Sequence, residues 1–281
     1  MGLLEPINKL NICGLSPFFS MSIHDINNRL FDRIRQIRID EFQIIKKHLK
    51  GKHFQRGLEI GCGDGTQSIL LREICEELIS TDIDASDIPC ERLEKLNFVS
   101  ASAENLPFPD KYFDLVYSSN VLEHIENLDR AFSEMSRVLK DDGLMIHCLP
   151  NATWKILQLT LWIPFRIKIL IAKIVEVIYK TGKPVERVES CEFGSQKGAE
   201  RKKFNPWFPP IHGIAKSHFE EIMLFGMPRW RREFEKAGFM VSESFPLLLY
   251  SAWNVGPAPI RIILQSLGLR SSNCFFLNKK L

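Results

Sequence analysis

The sequence lacks the marks of an oxidised or metal-bound protein. Its seven cysteines are an odd number and none stands in a Cys-x-x-Cys pair, which disfavours a disulfide framework or a zinc ribbon and favours a reducing compartment. We therefore expect no metal site. There is no low-complexity tract and no internal repeat. With 281 residues, 45% of them hydrophobic and 25% charged, the chain can form one large globular domain or one domain with an added segment.

Long uncharged apolar runs are also missing. Residues 154–180 are long and apolar enough to suggest a membrane span of about 20 residues, but four charges interrupt them. These charges are Arg166, Lys168, Lys173 and Glu176. The N-terminus carries Glu5 and no long apolar core, a poor match to a signal peptide. We expect a cytoplasmic protein, and a peripheral position on the inner face of a membrane stays open.

Residues 57–65 are the most informative stretch, because a short apolar strand there runs into three glycines separated by single residues. These glycines are Gly61, Gly63 and Gly65. Without Cβ atoms, such a turn lets the backbone approach a ligand. Seventeen residues further on, a second strand ends in Asp82, whose carboxylate can accept hydrogen bonds from a ribose diol. The dinucleotide fingerprint would need a glycine where Thr66 stands, so the pattern predicts a nucleoside-binding α/β domain and disfavours a nicotinamide or flavin oxidoreductase.

The next 70 residues continue the alternation of strands and helices. Hydrophobic spacing predicts strands at 97–101, 112–118 and 144–149, a turn or short helix at 121–125, and a helix at 129–139 that the turn 140–143 ends with a cation and a glycine.

Four phrases of this region stand in a recognisable order. They are A-E-x-L-P-F at 103–108, F-D-x-V at 113–116, L-E-H-I at 122–125 and R-V-L-K-x-x-G at 137–143. With the glycine loop and Glu59 in the first strand, residues 55 to 150 resemble the class I S-adenosylmethionine-dependent methyltransferases of the type-11 group. Two residues depart from that pattern: Ser102 replaces an Asp that contacts adenine in many relatives, and Asp142 replaces a glycine. The resemblance implies S-adenosylmethionine as cofactor and a Rossmann-like, seven-stranded, mostly parallel sheet flanked by helices.

The resemblance also implies a set of cofactor-binding residues. Glu59, Gly61, Cys62, Gly63 and Gly65 would line the methionine and ribose, Asp82 would hold the ribose hydroxyls, Ile83, Ala103 and Glu104 would frame the adenine, and Ser119 and Asn120 would face the methyl group. Structural alternatives remain: Glu59 could satisfy backbone amides of the glycine loop, and Asp82 could cap the next turn.

The chain divides into four parts. They are an N-terminal helical segment (1–55) with a helix over 23–50, the cofactor-binding core (56–150), an insertion after strand five (151–226), and a C-terminal part (227–281) whose helix 228–237 and strands 239–245 and 274–278 complete the core.

The insertion departs most from a minimal domain of this kind. Residues 151–217 hold twelve Lys or Arg and five Glu, a net charge of +7, whereas the whole chain is +3. In 154–180 most polar residues fall on one helical stripe, and Pro164 predicts a break into two helices. Three interpretations stay open: a cap packed on the core, a cap packed on a second copy in a homodimer, or a helix on an anionic membrane surface with its apolar face in lipid.

The rest of the insertion contributes one candidate for chemistry. Residues 181–203 are polar and predict a loop, and 204–213 concentrate aromatics, prolines and His212. His212 and His124 are the candidate catalytic residues, although both could be structural.

The predicted function is methyl transfer to a small, hydrophobic or lipid-like acceptor. The alternatives are a methyltransferase for a soluble metabolite or glycan with the insertion as a dimer cap, and a non-catalytic scaffold that binds the cofactor. A nucleic-acid acceptor is disfavoured, because residues 118–121 read S-S-N-V where base-flipping relatives carry N-P-P-Y.

Overall fold

The computed structural model describes residues 23–179, 208–250 and 258–280, so the predicted loop 181–203, the first 22 residues and residues 204–207 lie outside the described ranges. In chain order the elements are α1 Ile23–His48, β1 Phe54–Ile60, α2 Thr66–Leu71, β2 Cys75–Asp82, α3 Cys90–Leu93, β3 Asn97–Ser100, β4 Phe113–Ser119, α4 Leu128–Val138, β5 Leu139–Pro150, α5 Ala152–Tyr179, α6 His218–Leu224, α7 Met227–Lys236, β6 Phe239–Pro246, α8 Ala258–Ser266 and β7 Ser272–Lys279.

The strands form a seven-stranded sheet in the order β3-β2-β1-β4-β5-β7-β6. The first five strands pair in parallel, and β7 runs antiparallel between β5 and β6. This architecture confirms the predicted Rossmann-like fold with a helical insertion after strand five. The strand order reverses between β1 and β4, which is where open α/β sheets bind ligands beyond the carboxyl ends of their strands.

Helices cover both faces of the sheet. On one face α4 and α7 bury a core built around Phe132, Trp230 and Phe234. On the other face α1 and α2 cover a second core that includes Phe42 and Leu71. The central strands β4 and β5 are therefore buried along most of their length.

The predicted turn at 140–143 is wrong. Helix α4 ends at Val138 and β5 begins at Leu139, which pairs with Phe113 before the register moves to Leu115 and Leu144. Residues 140–143 are therefore a bulge in one long strand, and Gly143 does not adopt the positive φ of a helix-ending glycine.

The predicted break at Pro164 is also wrong, because α5 is one helix of 28 residues with Pro164 inside it. Proline removes one helical hydrogen bond and crowds the preceding turn. Pro164 lies on the exposed side of the helix, where water can satisfy the freed carbonyl group.

Two arginines of α1 make polar contacts that tie the helix to other parts of the fold. Arg35 donates from Nε to Asp64 Oδ2 at 3.2 Å, and Arg38 donates to Glu41 Oε2 at 2.7 Å and to the Tyr250 hydroxyl at 3.3 Å. Helix α1 thereby reaches from the glycine loop to the segment that follows β6.

Candidate functional site

The glycine loop joins β1 to α2 at the switch point of the sheet. Gly61, Gly63 and Gly65 have φ of 70°, 54° and 72°, the left-handed region that other residues rarely adopt. A Cβ atom on Gly61 would lie 2.3 Å from Val121 Cγ2, whereas one on Gly63 would meet nothing within 4 Å. The loop is thus packed against protein at Gly61 and open to an approaching ligand at Gly63.

Asp82 ties the end of β2 to this loop. Its Oδ2 accepts a hydrogen bond from the Gly63 backbone N–H at 2.9 Å, and its Oδ1 accepts one from the Ile83 N–H at 2.7 Å. The carboxylate is only partly buried. Each oxygen retains a second acceptor position, so Asp82 can also accept hydrogen bonds from a ligand diol beside the open glycine.

Glu59 lies deeper than the loop. Its side chain is 2% exposed, and its Oε2 accepts hydrogen bonds from Ser68 Oγ at 2.5 Å and from Ser80 Oγ at 2.9 Å. Burial raises its pKa to about 7. These contacts fasten β1 to α2 and β2, and Cys62, which is 6% exposed, is buried in the loop above them.

The sequence analysis did not predict the ion pairs on the outer side of the glycine loop. Asp64 forms ion pairs with Arg35 at 3.2 Å and Arg92 at 3.2 Å, and it accepts hydrogen bonds from the Thr66 N–H and hydroxyl. Burial alone would raise the pKa of Asp64, but the bonds from Thr66 and the two arginines lower it. Asp64 lies 29 positions after Arg35 and 28 positions before Arg92, and no local sequence pattern links residues so far apart.

An open pocket of about 320 Å³ lies beyond β2 and β3. Its lining residues are Ile83, Ser100, Ala101, Ser102, Asn105 and Pro107. Of the residues predicted to frame adenine, Ile83 lines this pocket, whereas Ala103 packs against the core and Glu104 accepts from the Asn127 N–H at 3.4 Å. Ser102, which replaces the family's Asp, also lines the pocket.

Ser119 and Asn120 lie at the carboxyl end of β4, on the same edge of the sheet as the glycine loop. Asn120 has φ of 55°, and its backbone N–H donates to the Cys148 carbonyl at 2.9 Å. Its Nδ2 donates to Ser119 Oγ at 3.4 Å. The left-handed turn redirects the chain into the segment 121–125, so Val121 packs against the glycine loop.

The insertion closes over that segment. Residues 212–214 pack on the backbone of Glu123: the Ile214 N–H donates to its carbonyl at 3.3 Å, and a Cβ on Gly213 would lie 2.2 Å from the same oxygen. The insertion thus brings the two predicted histidines, His124 and His212, to one end of the sheet.

A buried polar network determines which ring nitrogen of His212 carries the proton. Lys155 Nζ donates to Gln158 Oε1 at 2.6 Å, to the Pro210 carbonyl at 3.2 Å and pairs with Glu221 Oε2 at 2.6 Å. Because Lys155 can only donate, it turns the amide oxygen of Gln158 toward itself and the amide NH₂ toward His212 Nδ1, 3.3 Å away. His212 Nδ1 therefore accepts, and the ring proton lies on Nε2.

Both histidines are held neutral at physiological pH. Burial, followed by the charges of Lys155 and His124, lowers the pKa of His212 to about 3. The pKa of His124 is also lowered, by desolvation from the protein packed around it, although part of its side chain reaches the surface. Within the described ranges no cluster of three or more His, Cys, Asp or Glu is arranged to hold a metal ion.

The sheet order, the glycine loop with one open position and the acid at the end of β2 define a nucleoside-binding domain of the doubly wound class. Residues 58–147 match the family model described as "Methyltransferase domain". The match falls in the region whose motifs predict a class I S-adenosylmethionine-dependent methyltransferase domain.

Two proteins similar in sequence and one similar in structure illustrate what the chain resembles. An uncharacterized protein of Methanocaldococcus jannaschii is 40% identical over 118 residues, 42% of this chain and 45% of that protein. The ubiquinone/menaquinone biosynthesis C-methyltransferase of Vibrio vulnificus is 34% identical over 103 residues, 33% of this chain and 40% of that enzyme. A crystal structure of a methyltransferase from Thermotoga maritima, described as a possible histamine N-methyltransferase, aligns with a TM-score of 0.52 at 16% identity over 92% of this chain and 96% of that one.

The extent of these similarities differs between sequence and structure. The matched segment covers less than half the length of each of these two relatives, and the match to the family model ends at residue 147. The structural likeness shows the fold alone.

Proposed function

We propose that this chain binds S-adenosylmethionine and transfers its methyl group to a small acceptor of hydrophobic or lipid-like character. The glycine loop and Asp82 support the first part. The observation that carries the second is the apolar outer side of α5, directly after β5 and beside the site.

The residues of the chain fit the cofactor. Gly63 leaves open space next to the Asp82 carboxylate, and the pocket lined by Ile83 and Ser102 has room for a flat base. When bound, S-adenosylmethionine supplies an activated methyl group on a sulfonium. The protein then needs mainly to orient the acceptor and to exclude water. Glu59 and Cys62 would support the loop from below, while Ala103, Glu104, Ser119 and Asn120 would border the adenosine and methyl ends.

Replacing Asp82 tests the cofactor site. We expect Asp82→Ala to weaken binding of S-adenosylhomocysteine about tenfold or more, because a hydrogen bond to a charged group contributes about 1.5–3 kcal/mol. Isothermal titration calorimetry measures this, and Asp129→Ala, an exposed partner of Lys236, serves as the matched control. Equal affinities for the two variants would contradict the assignment.

Helix α5 is arranged with its polar side inward. Lys155 and Gln158 are completely buried, and Trp154 and Trp162 are almost completely buried beside them. The opposite side carries six aliphatic residues that are 41–58% exposed: Ile156, Ile163, Ile167, Leu170, Ile171 and Ile174. Their spacing places them along one side of the helix over about 27 Å. We call these six residues the apolar stripe.

The net charge of the insertion favours an anionic lipid surface as the partner of the apolar stripe. The largest exposed apolar patch of a typical monomeric protein measures on the order of 300–600 Å² and is often an interaction site. Residues 151–217 carry a net charge of +7. Two copies meeting through this region would bring like charges together, whereas each basic residue near an anionic membrane gains about 1 kcal/mol. Among the described residues, no helix is both long enough and apolar enough to cross a membrane.

Vesicle co-sedimentation tests this surface. The chain should sediment with phosphatidylcholine vesicles that contain phosphatidylglycerol, less so at high salt, and Ile167→Glu should abolish sedimentation without loss of stability. Met240→Glu, at an equally exposed apolar residue of β6, is the control. Absence of sedimentation at low salt would contradict the proposal. A dimer in analytical ultracentrifugation that Ile167→Glu dissociates would favour the dimer-cap alternative.

The chemical class of the acceptor can be determined by following a labelled methyl group. One relative is named for ubiquinone and menaquinone biosynthesis, which supports a hydrophobic acceptor for this chain. We expect label from S-adenosyl-[methyl-³H]methionine to enter the lipid extract of a cell lysate. Label in the soluble fraction alone would favour a metabolite or glycan, and retained cofactor binding without any transfer would favour a scaffold.

His212 would orient the acceptor within this function. Its Nδ1 is engaged by Gln158, so the group left for an acceptor is the Nε2 N–H, which donates. His124 would border the same space. The pKa of His212, lowered to about 3, makes it a weak base at neutral pH, and burial also lowers the pKa of His124.

A further inference from the structure

The carboxyl group of Glu123 is buried at this end of the sheet. The Glu123 side chain is 6% exposed, and its Oε2 has no hydrogen-bond partner among the residues that the structure describes. Its carboxylate also interacts with its own backbone N–H and, at longer range, with Arg38 and Tyr250. A buried polar atom without a partner is costly in free energy, so it calls for a ligand or a function.

The position of Glu123 connects it to the site. It lies three residues after Asn120, in the segment that packs on the glycine loop through Val121. Its backbone carbonyl supports residues 212–214 of the insertion. Glu123 is therefore enclosed between the glycine-loop segment, Arg38 of α1 and the insertion, close in sequence to Ser119 and Asn120, which would face the methyl group.

The charge of Arg38 in α1 acts on Glu123, and Glu123 in turn acts on Tyr250 after β6. Glu41 pairs with Arg38, and His124, His212 and Lys155 lie at the same end of the sheet. Burial would lower the pKa of Arg38, but Tyr250 and Glu41 raise it, so the guanidinium stays charged. Burial raises the pKa of Tyr250 to about 12, and both histidines are neutral with lowered pKa.

We propose that Glu123 Oε2 accepts a hydrogen bond from the O–H or N–H that is to be methylated and takes its proton. The inference rests on the proposed methyl transfer. A lone pair of the acceptor oxygen or nitrogen forms the bond to the methyl carbon, the carbon–sulfur bond breaks with its electron pair left on sulfur, and the released proton passes to Glu123. Burial raises the pKa of Glu123 to about 8, close to the working pH that favours a general base.

The pH profile of transfer tests the catalytic role. With label entering the lipid extract as the measure, the wild-type rate should rise with pH through about 8 as Glu123 loses its proton. Glu123→Gln keeps the shape but cannot take a proton, so its rate should fall at least tenfold at pH 8.5 and lose the rise, while Glu123→Asp retains the rise. Glu77→Gln, at an exposed glutamate of β2, controls for the substitution itself. An unchanged rate and profile in Glu123→Gln would overturn the proposal.

Thermal unfolding gives a second readout that needs no acceptor. The folded chain holds the Glu123 proton up to about pH 8, whereas the unfolded chain loses it near the ordinary value of 4.5, so stability falls between these values. Glu123→Gln removes this fall, and above pH 8 its Tm should exceed that of the wild type. A lower Tm at every pH would show a structural role and overturn the proposal. Failure of the wild type to bind S-adenosylhomocysteine would instead overturn the proposed function, and the unfolding result would be unaffected.

Discussion

Breaking the ion pair between Lys155 and Glu221 should destabilise the protein strongly. The Lys155 Nζ and the Glu221 Oε2 are 2.6 Å apart, and neither side chain is exposed to solvent. Lys155→Met removes this pair together with the hydrogen bonds to Gln158 and the Pro210 carbonyl. Removing one partner of a buried pair typically costs about 3–5 kcal/mol, because the other charge is left without compensation.

The cost should depend on pH. Burial raises the pKa of Glu221, and in Lys155→Met only the hydrogen bond from the His212 backbone N–H still opposes that rise. At low pH Glu221 can take up a proton and avoid the buried charge, so the loss of stability should be smallest there and should grow as pH increases.

A double variant separates the pair from its surroundings. Lys155→Met combined with Glu221→Leu replaces both charges by apolar groups of similar size, and we expect most of the lost stability to return. Urea unfolding measures all three proteins. A cost below about 1 kcal/mol for Lys155→Met, or a double variant less stable than both single variants, would refute the reasoning.

Two further outcomes follow from the glycine loop and from Glu59. Gly61→Ala should lose several-fold more stability in thermal melts than Gly63→Ala, since its Cβ would lie 2.3 Å from Val121 Cγ2 whereas that of Gly63 meets nothing within 4 Å. Gly63→Ala should instead weaken S-adenosylhomocysteine binding in calorimetry. Unchanged binding by Gly63→Ala would indicate that the cofactor lies elsewhere. The pKa of Glu59 is raised to about 7, so its contribution to stability declines as pH rises from about 4.5 to 7, and Glu59→Gln should remove that decline in urea unfolding across this range.

The core of the fold could be predicted because its signals are local. The glycine loop, Asp82 and the strands of the first half each depend on residues within a few positions of one another, and the structure puts them at the predicted places. The fold class followed from these motifs in order.

The insertion could not be predicted in the same way. The polar stripe of α5 reads as a solvent face when α5 is considered alone, yet Lys155 is buried. Its partner Glu221 lies 66 residues later, across a segment without apolar period, and nothing local links the two. The same limit applies to Arg38 and Tyr250, which meet although they are 212 residues apart.

Glu123 illustrates a different limit. It stands in the L-E-H-I phrase that identified the domain, and the phrase drew attention to His124 because histidine is the usual acid–base residue at neutral pH. Only the structure shows that the glutamate is the enclosed residue of the two and that one of its oxygens has no partner in the described part of the chain.

Helix α5 lies between the outer surface and the proposed acceptor site, and its two sides have different surroundings. Its inner side carries Lys155 and Gln158, which fix the orientation of His212. Its outer side carries the apolar stripe. Under the proposed function, a bilayer that covers the stripe would lie one helix diameter, about 10 Å, from the residues that orient the acceptor. A lipid-like acceptor could then reach Glu123 and the methyl group without crossing water, and substitutions in the apolar stripe should raise KM for such an acceptor while leaving cofactor affinity unchanged.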